Sequence, residues 1–236
     1  MRIGLMFGGR DGSLAGATAQ ARSAEQRGFA TFWLPNIFGI DAITAAALAG
    51  REVPRIEFGT AVVPTYPRHP AALAQQALTA AAATGGRFTL GIGLSHKIVV
   101  EDMFGLDYSK PARHMREYLE VLAPLLRGEP VDYRGEEYRV KTGLSVPGAA
   151  RVPVVVAALG PVMLGIAGRL ADGTITWMTG PRTLSEHIAP AIGKAARAAG
   201  RPEPRIVAGL PIGLCRDAAA GREMVAKSFE IYGTLP

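Results

Sequence analysis

The stretch Arg87-Phe88-Thr89-Leu90-Gly91-Ile92-Gly93-Leu94-Ser95-His96-Lys97 decides how the chain is read. Phe88, Leu90 and Ile92 alternate with small residues, the pattern of a short buried strand. Gly91 and Gly93 stand at its far end, where a side chain would keep a ligand from approaching main chain, and Ser95, His96 and Lys97 follow at once as polar groups. The stretch therefore reads as a strand delivering donors to a rim. Taken alone it also reads as a plain tight turn, and its neighbours decide between the two.

Upstream, Arg2 to Phe7 is a first strand ending in Gly8-Gly9, and Ala17 to Gln26 is an alanine-rich helix stopped by Gly28. Thr31 to Leu34 is a second strand closed by Pro35-Asn36, and a helix capped by Asp41 runs to Ala49. Ile56 to Val63 is a third strand, and a helix from Pro70 to Ala83 leads into the opening stretch. Downstream, an insertion around 98–150 breaks the rhythm. It holds a loop from Glu101 to Ser109, a helix opened by Pro111 with Met115, Leu119, Leu122 and Leu126 on one face, and a hairpin around Gly135. The alternation then resumes, with strands at Val152–Ala158, Gly173–Met178 and Ile206–Leu214 and helices at Pro161–Leu170, His187–Ala199 and Ala218–Ile231.

Strands alternating with helices, and strands apolar on both faces, specify a parallel sheet covered by helices. Gly8-Gly9-Arg10-Asp11-Gly12 lacks the dinucleotide fingerprint after the first strand, which favours a (β/α)8 TIM barrel over an open doubly wound sheet. One domain over residues 1–236 is expected. Seven strands are counted where closure needs eight, so the barrel is expected to lack its C-terminal strand and helix in this chain.

The composition narrows the function. The chain is 48% hydrophobic and 19% charged, with a net charge of +6. Its basic residues are scattered without interleaved aromatics, so no nucleic-acid partner is expected, and the alternative use of the charge is a cleft that draws in an anion. No apolar run approaches the ~18 residues that span a bilayer, and no leader region precedes the first strand, so a cytoplasmic protein with no membrane association is expected. Cys215 is alone and no Cys/His cluster has zinc spacing, which leaves metal chemistry without support.

Physical reasoning also marks an anion site. A strand ending at Ala158 hands over to a helix with Gly160 in the turn and Pro161 at its first position, leaving the Val162 and Met163 amides free at a helix N-terminus. An ordinary turn without a ligand is the other reading. His69 is expected to be a structural or rim residue and not a catalyst, and His114 and His187 to be solvent-exposed on helices. Phe7 and Trp177, at strand ends, are candidate walls for a flat ring, or simply core.

Three stretches carry a resemblance: Phe58 to Pro70, Arg87 to His96, and Ala157 to Leu164 with Ala171-Asp172-Gly173. In them the chain resembles the luciferase-like monooxygenase superfamily, in its branch of oxidoreductases that use the deazaflavin coenzyme F420. The resemblance implies a hydride transfer between that coenzyme and a small organic substrate, with FMN-dependent monooxygenation or a non-catalytic cofactor-binding homologue as alternatives. It implies a homodimer and a non-prolyl cis peptide at Ala61–Val62 against the ring. It places the cofactor among Phe7, Asn36, Thr60, Ala61, Val62, Gly91, Gly93, Ser95, His96, Ala157, Gly160, Pro161, Val162, Met163 and Trp177, with His96 orienting the cofactor rather than catalysing. Asn36 and Ile37 stand where the branch's sugar-phosphate dehydrogenases carry an acid and a histidine. Asparagine cannot take up a proton at neutral pH, which favours reduction of an activated double bond or imine, with a proton from water, over alcohol oxidation. No residue is assigned as catalytic.

Overall fold

A computed structural model of the chain describes residues 1–8 and 11–229. Gly9, Arg10 and the expected helix end at Ile231 lie outside the described residues. The main sheet is parallel throughout and runs β1 (Gly4–Met6), β2 (Thr31–Leu34), β3 (Glu57–Thr60), β5 (Phe88–Gly93), β8 (Val154–Ala157), β9 (Gly173–Trp177), β10 (Arg205–Gly209), with the two-residue β4 (Val63–Pro64) also against β5. Helices α1 (Leu14–Gln26), α2 (Ala42–Glu52), α3 (Pro70–Ala83), α4 (Pro111–Leu126), α5 (Pro161–Leu170), α6 (Pro181–Thr183), α7 (Ala189–Ala198) and α8 (Ala218–Ser228) alternate with the strands. The insertion carries an antiparallel hairpin of β6 (Val131–Arg134) and β7 (Arg139–Thr142).

The sheet is curled. Arg205 at the start of β10 makes two bonds to the Glu57 carboxylate at the start of β3, at 2.6 and 3.2 Å. These strands are four sheet neighbours apart, roughly 19 Å in a flat sheet at the usual ~4.8 Å spacing, so the two residues meet only across a concave interior. Among the described residues β1 and β10 are the two edges and do not pair.

Alternate residues of each strand fill two different cores. Phe32, Phe58, Phe88, Leu90, Ile92, Val154 and Val156 face the helices, while Trp33, Val155 and Ile175 face inward with Met6, Ala61, Val62, Ala157 and Val207 around them. Trp33 fills the middle of the interior because its neighbours leave room: a Cβ on Gly4 would stand 2.8 Å from its Nε1, and one on Gly59 would overlap its six-membered ring. The Arg205 guanidinium lies 5.4 Å from the Trp33 ring centroid, a cation–π arrangement that closes the interior from the N-terminal end of the strands.

Several boundaries depart from expectation, each for a local reason. Helix α1 begins three residues early because Ser13 accepts the Gly16 amide and caps it. The helix expected from His187 starts instead at Pro181 behind Gly180 and continues through a π turn, Leu184–Ile188, into α7. The strand expected to reach Leu214 stops at Gly209, and Leu210, Ile212 and Leu214, which made the run look like strand, are exposed. The third strand is split into β3 and β4 around Ala61 and Val62.

Candidate active site

The carboxyl ends of β3, β4, β5, β8 and β9 converge on one mouth. At the end of β3, Thr60 Oγ1 donates to the Gly91 carbonyl and accepts from the Gly91 amide, both at 2.8 Å. A single hydroxyl thereby stands in for strand pairing where β3 breaks. The Ala61–Val62 peptide that follows is cis, as the resemblance implies. A Cβ on Gly91 would overlap the Thr60 carbonyl oxygen, so this glycine makes room for the protein's own backbone and not for a ligand, which corrects its expected role.

Gly93 differs. A Cβ there would lie 2.7 Å from Val62 Cγ2 and 3.2 Å from Ala157 Cβ, which places Gly93, Val62 and Ala157 against one another at the top of the interior. Ala61, Val62 and Ala157 are only half-buried, so small side chains from three adjacent strands line the mouth. Trp177 stands at the same end of β9, close enough to β10 that a Cβ on Gly209 would lie 2.9 Å from its Cε3, and its ring lies 5.9 Å from that of Phe229.

Next to this wall, Gly160 caps α5 without contributing a side chain, Pro161 takes the first position, and no acid stands in the first turn. Gly160, Pro161 and Val162 are exposed and Met163 is half-buried, so the start of α5 faces solvent on the rim as the sequence implies. His187, exposed as expected, bonds the Leu159 carbonyl through Nε2 at 2.8 Å and pins the turn before the helix. At the end of β5, Ser95 takes φ +66°, a left-handed conformation uncommon outside glycine, and the exposed His96 accepts Val99 and Val100 amides through its carbonyl at the entry to a π turn, Val99–Met103.

Two expected site residues are occupied elsewhere. Strand β1 sends Met6, not Phe7, into the interior, and the Phe7 ring packs with Phe32 in the outer layer at 6.2 Å between centroids. The Asn36 side chain accepts the Ala42 amide at 3.0 Å and holds the start of α2. His69 is structural as expected, its Nδ1 accepting the Ala71 amide at the start of α3.

His114 overturns its expectation of exposure: it is buried, 6% exposed. Its Nε2 lies 2.9 Å from Thr65 Oγ1, its Nδ1 lies 3.3 Å from the Tyr138 hydroxyl, and its ring stacks on Tyr66 at 3.9 Å and 6°. Burial pulls its pKa down to about 4, so it is neutral at physiological pH, and burial with nearby Glu137 and Glu117 pushes Tyr138 up to about 12. The fixed apolar stripe of α4 hid this residue, because the insertion hairpin buries the other face as well. Glu117, 2% exposed, holds that hairpin by accepting the Glu136, Glu137 and Tyr138 amides at 3.2, 2.8 and 3.2 Å.

Among the described residues no group of His, Cys, Asp and Glu is placed to hold a metal ion, and no helix is long and apolar enough to cross a membrane.

Known proteins share this architecture. A Mycobacterium tuberculosis protein named "Putative coenzyme F420-dependent oxidoreductase Rv3520c" is 33% identical over 68% of this chain and 50% of its own length. The 5,10-methylenetetrahydromethanopterin reductase of Archaeoglobus fulgidus is 29% identical over 90% of this chain and 65% of its own length. The solved coenzyme F420 dependent tetrahydromethanopterin reductase of Methanopyrus kandleri superposes with a TM-score of 0.76 at 26% identity, covering 88% of this chain and 65% of that one. The chain thus spans between half and two thirds of the length of these relatives. Residues 1–234 match the family model described as luciferase-like monooxygenase, and the chain belongs to that family.

Proposed function

We propose that this chain binds coenzyme F420 at the carboxyl ends of its strands and serves an oxidoreductase that passes hydride between that coenzyme and a small organic substrate. The observation that carries the reading is the contact of Gly93, Val62 and Ala157 beside the start of α5, which no side chain caps. A flat tricyclic ring needs a wall without protruding side chains, and a charged tail needs donors, and the two features stand side by side. The F420 named for two of the relatives supports the choice of cofactor.

When bound, the deazaflavin supplies or accepts the hydride. The chain's residues supply the setting. Ala61, Val62, Gly93 and Ala157 support the ring, Trp177 bounds it on the β9 side, the Val162 and Met163 amides hold the tail, and Ser95 and His96 orient it from the neighbouring rim. Trp33 closes the interior beneath and excludes water from that side. Asn36 is engaged with α2 and carries no acid–base role, which agrees with reduction of an activated double bond or imine in which the proton comes from water. A homodimer in the cytoplasm and a single domain complete the reading.

Fluorescence titration of the purified protein with F420 and, separately, with FMN tests it. Saturable binding of F420 in the micromolar range or tighter is expected. Saturable binding of FMN and none of F420 makes the protein a flavin enzyme of the same family and overturns the reading.

A further inference from the structure

The cluster around His114 lies outside the set of residues assigned to the cofactor, yet it is bonded to them. Thr65, fully buried, follows β4 directly, and its amide donates to the Gly93 carbonyl at 2.9 Å. Gly93 stands against Val62 and Ala157, the residues assigned to the ring wall under the proposed function. On its other side Thr65 bonds His114 Nε2, His114 Nδ1 meets the Tyr138 hydroxyl, and the Tyr138 amide donates to Glu117. A series of polar contacts, joined through the covalent frames of Tyr138 and Thr65, therefore runs from a buried carboxylate on α4, through the insertion hairpin and an imidazole, to the main chain at the mouth.

Each link has a physical reason to persist. Glu117 satisfies three amides of the hairpin turn, and a Cβ on Gly135 would overlap its carboxylate, so the turn is shaped around that acid. The Tyr118 hydroxyl donates to the Arg68 carbonyl at 2.9 Å, and Tyr66 stacks on the imidazole, so the loop between β4 and α3 is gripped from two sides. A neutral imidazole bonded at both nitrogens has one donor and one acceptor, and either tautomer matches a hydroxyl on each side.

We propose that His114 is a positioning residue for the cofactor pocket: through Thr65 it fixes the end of β4 against Gly93 and thereby sets the depth of the wall on which the ring lies. This rests on the proposed function for the identity of the ring, but not for the mechanical link, which the protein holds without a ligand. The insertion contributes to the site by this route although none of its side chains belongs to the wall.

Three variants separate the link from simple packing. His114→Phe keeps the stack on Tyr66 and removes both polar contacts, His114→Gln can restore the contact to Thr65, and His114→Asn can restore only the contact toward Tyr138. In His114→Phe the Thr65 amide is expected to exchange with solvent about tenfold faster, while those of Leu119 and Leu122 in α4 stay within about twofold of wild type. The F420 dissociation constant is expected to rise about tenfold, since small displacements of a positioning element are costly. His114→Gln is expected to recover most of both effects and His114→Asn little.

Unchanged exchange at Thr65 in His114→Phe, or equal behaviour of the Gln and Asn variants, overturns the proposal. Faster exchange with an unchanged F420 affinity also overturns it, by showing that the link does not reach the wall. Failure of the wild type to bind F420 removes the cofactor assignment instead, and the exchange measurements, with FMN as the alternative titrant, still decide the role of His114.

Discussion

The two ends of the curled sheet are built from opposite materials. At the amino ends of the strands the interior is polar: Glu57 takes Arg205 at 2.6 Å and Arg2 at 2.5 Å, and Thr89 donates to it at 2.5 Å, at the floor of an open cleft that Arg55 and Arg87 also line. At the carboxyl ends the interior is lined by glycine, alanine and valine, and the surrounding loops expose Ile37, Phe38, Ile98, Met103, Leu159, Leu210 and Ile212. A half-buried carboxylate satisfied by arginines and a threonine holds strands together, whereas the small side chains at the other end present a flat, half-buried surface. Under the proposed function the same sheet separates stability from binding along its strands, as parallel barrels do.

The sharpest way to break this comparison lies within β5, where two glycines two residues apart are expected to fail differently. Gly91→Ala forces a methyl group onto the Thr60 carbonyl oxygen, a clash that only a shift of main chain can relieve. A loss of about 4 kcal/mol in urea unfolding is expected, enough to leave little folded protein. If Gly91→Ala folds with wild-type stability, the end of β3 is not the fixed point it is taken to be here.

Next in size is the amino end. Glu57→Gln leaves Arg205 half-buried beside an uncharged partner, and about 2–3 kcal/mol of stability is expected to go, while F420 affinity stays within about twofold. The pH dependence follows from the same group. Burial alone would raise the Glu57 pKa, but hydrogen bonds from Arg205 and Thr89 and the charges of Arg205 and Arg2 outweigh it, and the net value lies below the ordinary 4.5. A carboxylate with a depressed folded-state pKa contributes stability that is complete above its unfolded value and is lost as pH falls below it. Wild type is therefore expected to lose stability more steeply than Glu57→Gln below about pH 4.5, read as midpoints of urea unfolding at pH 6, 4.5 and 3.5. Parallel profiles would remove Glu57 from the acid response.

Local chemistry was legible in the sequence where one residue type forces one conformation. Helices α3 and α5 begin at Pro70 and Pro161 and strand β2 spans Thr31 to Leu34, as read, because proline, glycine and capping residues act over a few positions. Gly93 at the mouth was legible from the strand-end pattern and its neighbours Ala61, Val62 and Ala157 only through resemblance, whereas the reasons for Gly91, Gly4 and Gly59 were not legible. Gly91 serves Thr60, 31 positions away, and Gly4 and Gly59 serve Trp33, none of which a local pattern encodes. Phe7 and Met6 are adjacent apolar residues, and only the sheet's register says which faces inward. His114 was misjudged because one apolar face predicts one buried face, and α4 has two once the hairpin folds over it.

At the mouth itself, Gly93→Val sharpens the comparison with Gly91. Its Cβ would lie 2.7 Å from Val62 Cγ2 and 3.2 Å from Ala157 Cβ, so the Val62 side chain must turn aside, a smaller disturbance than moving a backbone carbonyl. About 1–2 kcal/mol of stability is expected to be lost through overpacking. The branched side chain also occupies the wall, so F420 affinity is expected to fall at least about tenfold beyond that, by the loss of flush contact with the ring. Equal affinity in wild type and Gly93→Val would move the ring away from β5.

The smallest effect, and the most discriminating, is expected from Gly160→Asp. Gly160 caps α5 in an extended conformation that any residue adopts, φ −76° and ψ 155°, with open space around its Cβ position. An aspartate there can accept a free amide and places a negative charge against the positive end of the helix dipole, so stability should rise by about 0.5–1 kcal/mol relative to glycine. The same carboxylate competes for the amides assigned to the cofactor's charged tail and repels it, so F420 affinity should fall about tenfold. A variant that is more stable and binds less tightly separates the two uses of one helix end. If affinity is unchanged while the melting temperature rises, the α5 start is a structural cap only, and the tail lies against another part of the rim.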